Sequence, residues 1–200
     1  MTYMSQNSIP ISKQVTSYVK RKPYLKEAIE QDIVNFSSLS RKISKNLGDL
    51  NVEAVKSTLV RLSKQMKENK QNREEKIIKL LKKSDFSINN KIATIHHLSP
   101  INIESIAFSK TPSGYMYFVK ENVAVKTSFK KIDYGFAIIQ IKNPKDIENT
   151  PGVAAFLLST LASEDINVFH LMDCREDTFL VIREFDAPLA FKALSDALKI

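Results

Sequence analysis

The sequence predicts an α+β chain, with a bundle of three helices toward the N-terminus and an antiparallel sheet backed by helices toward the C-terminus. Apolar residues recur at helical spacing between Leu25 and Met66, and from Ser84 onward they fall in short β-branched and aromatic runs. The charge is divided in the same way: residues 1–90 hold 18 Lys and Arg against 9 Asp and Glu, whereas residues 91–200 hold 12 against 13. An excess of positive charge confined to one half suits a surface that meets a polyanion, and equally a solvated lysine-rich face.

Composition removes several function classes. Two hundred residues with 43% hydrophobic content are enough for two small cores. Cys174 is the single cysteine, and His96, His97 and His170 have no spacing that gathers ligands, so neither a disulfide nor a metal site is expected. The 4 glycines form no phosphate-cradling pattern, and no nucleotide or other cofactor is expected. With no apolar run of about 18 residues and no leader pattern, the chain is expected in the cytoplasm, away from membranes.

Taken in order, residues 1–22 lack apolar periodicity and end in Lys20, Arg21 and Lys22, which reads as a mobile basic arm with at most a short helix from Gln14 to Lys20. Residues 23–66 read as a helical domain. Pro23 opens the first helix, with Leu25, Ala28, Ile29 and Ile33 turned inward. Asn35 with Ser37 or Ser38 caps the second, whose inward residues are Leu39, Ile43 and Leu47, and Gly48 stops it. Asn51 caps the third, where Val52, Val55, Leu59, Leu62 and Met66 share one face.

The opposite face of the third helix carries Glu53, Ser57, Arg61 and Lys64, with Lys56 on the flank. Short polar and cationic side chains opposite a buried stripe are what a helix in a DNA major groove presents; an ordinary amphipathic bundle helix has the same pattern. The charged residues 67–85 read as a connecting helix or linker, and Asn69, Arg73 and Lys76 rule out a coiled-coil seam running through to Leu81.

Residues 86–130 read as three or four strands, either a degenerate first unit or an extension of the sheet that follows. Residues 131–200 are clearer. GFAIIQIK is a strand, NPKDIENTPG a loop, Val153 to Ser163 a helix, INVFHLMDC and TFLVIREF two further strands, and Pro188 to Lys199 a closing helix. The order β-α-β-β-α is the ferredoxin-like way of burying one apolar sheet face under helices.

Two resemblances follow from these residues. IVNFSSLSRKI and NVEAVKSTLVRL, with Asn35, Ser38, Leu39, Arg41, Ile43, Glu53, Ala54, Val55 and Arg61 in order, resemble the helix-turn-helix of archaeal predicted regulators of amino-acid metabolism that also contain an ACT domain. FAIIQI, NTPGVAAFLLSTLASEDINV and EFDAPLAFKAL resemble the ACT units of aspartate kinases. The first resemblance implies double-stranded DNA as a partner, met by Arg41, Lys56, Ser57, Arg61 and Lys64. The second implies an amino-acid effector held by Asn149, Thr150, Pro151, Gly152 and Val153 together with Asn167, Val168 and Phe169, where two modules meet, and hence a homodimer.

Met172-Asp173-Cys174 stands where aspartate kinases tend to carry a small hydroxyl residue, so the effector is left open. No catalytic residue is expected. His170 and Cys174 share one strand without a third orienting group, and Asp133, Asp173, Glu176 and Asp177 read as turn carboxylates. The expected role is therefore an amino-acid-responsive regulator and not an enzyme; the alternative is a regulatory subunit that docks on a biosynthetic enzyme without binding DNA.

Overall fold

The structure, a computed structural model, describes residues 9–126, 129 and 131–198, in two compact units that divide between Glu75 and Lys76. The helical unit contains α1 (Ile11–Lys20), α2 (Pro23–Glu30), α3 (Phe36–Asn46) and the larger part of α4 (Val52–Leu81). The first eight residues of the expected arm lie outside the described residues. The rest of it is not an arm but largely α1, because Val15 and Val19, one turn apart, are fully buried with Ile29, Ile43, Val55 and Leu59.

The caps are those the sequence predicts. Asn35 Oδ1 accepts from Ser38 N–H at 3.0 Å, and Asn51 Oδ1 accepts from Ala54 N–H at 3.0 Å. Val55, Leu59, Leu62 and Met66 line the core, and Ser40, Ser44, Thr58 and Ser63 add small buried hydroxyls along the helix contacts. Ile33 departs from expectation. α2 ends at Glu30, Asp32 takes a left-handed φ of 62°, and Ile33 N–H returns to Ala28 O at 3.2 Å, which turns the Ile33 side chain out to 72% exposure. The stretches read as a third helix and a connecting helix are one 30-residue helix, α4, with no break among the charged residues.

The second unit is built on one antiparallel sheet of six strands: β1 (Asp85–His97), β2 (Ala107–Thr111), β3 (Gly114–Lys120), β4 (Ile132–Lys142), β5 (His170–Cys174) and β6 (Asp177–Arg183), in the spatial order β2-β3-β1-β4-β6-β5. The order reads the same from either edge: β2-β3-β1 mirrors β5-β6-β4 about the central β1/β4 pair. The half that starts at β4 carries α6 (Val153–Ala162) and α7 (Ala187–Leu198); the half that starts at β1 has, among the described residues, only the four-residue α5 (Glu121–Ala124). Ile139, Ile141, Leu180 and Ile182 pack under α6, α7 and the end of α4, at Ile77, Leu80 and Leu81.

The other face is not left open, as a simple ferredoxin-like layer would leave it. The rings of Phe118 on β3 and His170 on β5 meet at 5.1 Å, although three strands lie between theirs. In a flat sheet four strand spacings would hold them about 19 Å apart. The sheet therefore coils on itself and encloses Ile92, Phe118, Phe136, Ile138 and Val181, each at most 3% exposed. Register shifts flank Ile92 on the central pair, beside Lys91 (φ 56°) and Gly135 (φ 77°), and such bulges raise local twist.

Candidate functional site

The loop after β4 is fixed from beneath. Asn143, 4% exposed, accepts from Ser84 Oγ at 2.9 Å through Oδ1, and its Nδ2 donates to Thr178 Oγ1 at 3.0 Å. Thr178 Oγ1 donates onward to Asp173 Oδ1 at 2.8 Å, and Asn143 N–H donates to Glu176 O at 2.6 Å. Three distant parts of the sequence are joined in this way at one end of the sheet. A 3-10 turn, Lys145–Asn149, follows; it buries Ile147 and ends at Thr150, whose hydroxyl donates to Asp146 O at 3.0 Å.

Asn149, Pro151 and Gly152 remain exposed on the rim. Gly152 precedes α6 with φ 100° and ψ 0°, a left-handed conformation that glycine adopts without a Cβ penalty. It offers no side chain to cap the helix, and the first intrahelical bond runs from Phe156 N–H to Gly152 O at 2.9 Å. The amides of Val153, Ala154 and Ala155 thus have no partner within their own helix and form the positive end of its dipole.

Asn167, Val168 and Phe169 are elsewhere. Phe169 N–H donates to Val181 O at 2.8 Å, level with Ile138 on β4, whereas the loop leaves β4 after Lys142, level with Asp177. The two groups stand at opposite ends of α6, a helix about 15 Å long by its ten residues. One chain does not bring them together. Asn167 is exposed, Val168 packs on the core, and Phe169 meets Phe136 edge-on at 5.3 Å with the Arg183 guanidinium over both rings at 4.4 and 4.8 Å.

His170 and Cys174 stand at the two ends of β5, four residues and about 13 Å apart by strand rise. Burial against Phe118 lowers the His170 pKa, and Cys174 is exposed. Among the described residues no group of three or more His, Cys, Asp or Glu side chains could hold a metal ion. Nor is any described helix long and apolar enough to cross a membrane.

In the helical unit Lys56, Ser57, Arg61 and Lys64 come together with Glu53 and Val60 along one shallow groove of α4. Arg41 is exposed on α3 and lies outside that groove. A second groove, not anticipated from sequence, places Lys13, Thr16, Ser17, Lys20 and Arg21 of the α1 region beside Arg61 of α4. Its signal was present: Lys13, Thr16, Ser17 and Lys20 recur at steps of three, one and three, opposite Val15 and Val19.

No curated protein shows a significant match to this chain. The crystal structure of a Vibrio cholerae protein of unknown function, described as a possible transport protein, shares the fold of the sheet unit, with a TM-score of 0.51 and 14% identity over 63% of this chain and 98% of that one. The chain also resembles the ligand-free regulatory subunit of aspartate kinase from Thermus thermophilus (TM-score 0.44, 15% identity, 56% of this chain and 95% of that one). A further similarity is to the aspartate kinase of Clostridium acetobutylicum (TM-score 0.47, 10% identity), where the match covers 56% of this chain and 34% of that one. Residues 131–196 match the ACT domain family, so the strands β4, β5 and β6 with α6 and α7 are an ACT domain.

Proposed function

We propose that this chain is an amino-acid-responsive regulator: its ACT domain binds an amino acid and pairs two copies, and its helical unit, as a helix-turn-helix, binds double-stranded DNA. The observation that carries the reading is the uncapped start of α6 behind Gly152, on a loop held rigid by Asn143, Ile147 and Thr150. A ligand carboxylate there would gain several unpaired amide donors and the helix dipole, and a rigid loop loses little entropy on binding. Asn149 on the rim would hold a polar group of the ligand.

Since Asn149–Val153 and Asn167–Phe169 stand at opposite ends of α6, they would form one site only across two copies. Effector binding would then favour one arrangement of the dimer over another, and the differential affinity would set how far DNA binding shifts. The role assigned to Lys56, Ser57, Arg61 and Lys64 is supported by the exposure of Ser57, Arg61 and Lys64 opposite the buried stripe, with Lys56 half-buried on the flank, and by the absence, among the described residues, of a salt bridge to these cations.

A melting screen against the twenty common amino acids tests the sensing half. The cognate ligand at a hundred times its Kd should stabilise the protein by about 2.7 kcal/mol. Gly152→Val should abolish the response, since valine is strained at φ 100° and obstructs the closest approach, while Asn149→Ala should only weaken it. If no amino acid at millimolar concentration moves the wild-type transition, the ACT domain is left with a pairing role alone.

For the DNA half, Arg61→Ala with Lys64→Ala should weaken duplex binding while stability changes by less than about 0.5 kcal/mol, as both side chains are exposed. Titration and thermal melting of the same sample separate the two effects. Unaltered binding would remove this face from the interface.

A further inference from the structure

The groove between α1 and α4 is a surface of one chemistry. Lys13, Lys20 and Arg21 are exposed along it, Arg61 closes it from α4, and Thr16 and Ser17 supply hydroxyls between the cations. No carboxylate lines it, and none of the four cations takes part in a salt bridge among the described residues. All of these side chains can donate hydrogen bonds to phosphate oxygens, and none of the residues lining the groove is of the Asn or Gln type that pairs with adenine. Arg61 belongs to this groove and to the groove of α4 that holds Lys56 and Lys64, which makes the two surfaces continuous.

Spacing points to the kind of polyanion. Lys13 and Lys20 are seven residues apart on one helix face, about 10.5 Å along the axis. Phosphates of one DNA strand recur about every 3.4 Å along the duplex axis, so a cationic row of this length can meet more than one of them. Val15 and Val19 are buried on the opposite side of α1, so the row is held on the core and does not reach out on a tether.

We infer that α1 is a phosphate-backbone clamp, in which Lys13, Lys20 and Arg21 engage phosphates of one DNA strand while the α4 face meets the groove. The inference rests on the DNA-binding reading above and deepens it: α1 supplies affinity and register without reading sequence. Thr16 and Ser17 donate to the phosphates between the cations. Acidic protein surfaces fit less well, because their carboxylates have no regular spacing to match the row.

The test uses the full chain and mixed-sequence 30-base-pair duplexes, titrated between about 25 and 200 mM NaCl. Each phosphate neutralised contributes a slope of about −0.9 to the dependence of log Kobs on log salt. Lys13→Ala, Lys20→Ala and Arg21→Ala combined should therefore flatten the slope by about 2.7 and weaken binding equally on every duplex. Restoring charge with Lys13→Arg and Lys20→Arg, Arg21 being kept, should recover the wild-type slope. The melting temperature of the triple variant, with all three side chains exposed, reports whether the fold is intact. A wild-type slope in the triple variant overturns the clamp while leaving the α4 interface standing, as does weakening confined to particular sequences. Competition by polyglutamate as effective as by DNA also overturns it, and a wild-type chain that binds no duplex overturns both the clamp and the reading beneath it.

Discussion

Asn143→Ala is expected to cost about 2–4 kcal/mol and to lower the melting temperature by roughly 10 °C. Alanine removes the acceptor that holds Ser84 Oγ and the donor that holds Thr178 Oγ1, in a place where Asn143 is only 4% exposed. Thr178 keeps its bond to Asp173 and Ser84 its bond to Leu80 O, so the loss is that of two hydrogen bonds at about 0.5–1.5 kcal/mol each together with the cavity left by the amide. Asn143→Asp should do no better, since a carboxylate cannot donate to Thr178 and would bring a buried charge. Urea unfolding measures the effect, and a loss below about 1 kcal/mol would mean that water replaces the amide. The same variant should also dull any response to an amino acid, because the loop that leads to Gly152 begins at this residue.

Leu59→Ala should cost about 2–5 kcal/mol through the cavity it leaves in the helical unit, where Leu59 is fully buried beside Val15, Ile29 and Ile43. Val60→Ala, one residue along at 39% exposure, should change stability by less than about 0.5 kcal/mol. Helical circular dichroism followed through urea denaturation reads both variants. Equal effects at the two positions would place the helix face wrongly by one residue, and with it the assignment of Arg61 and Lys64.

These two residues also mark what the sequence makes legible. Leu59 belongs to a repeating stripe, and with Asn35 and Asn51 at their caps α3 and the first part of α4 follow from local chemistry alone. The strands of the ACT domain follow likewise from β-branched runs such as FAIIQI. Asn143 carries no such signal: it matters because Ser84 and Thr178, 59 and 35 residues away, meet it in the fold. α1 was obscured for a different reason, as its two buried valines are set among lysines and hydroxyls that read as a solvated arm. The charged residues between Met66 and Ile77 suggested a linker although they continue α4, because a helix needs no apolar stripe where it faces water.

The candidate ligand site shows the same division. The Thr150-Pro151-Gly152-Val153 motif marks a helix start, and the backbone at Gly152 agrees with it. Adjacency of Asn167 to that motif was carried over from a resemblance, and strand register contradicts it within one chain, since β5 runs parallel to β4 and begins level with Ile138, four residues before β4 ends. Coiling of the sheet was equally out of reach, for it depends on irregular pairing beside Lys91 and Gly135 and not on the apolar alternation itself.

The central pair of strands has a bearing on inheritance and dissection. β1 opens one half of the mirrored sheet and flanks the other; β4 does the converse. A chain severed between them near residue 131 would yield two pieces, each with a largely buried central segment of strand stripped of its neighbour, and the partner that best fills either gap is the other piece. Dividing the coding sequence there would thus still leave halves that should find one another in solution before either settles.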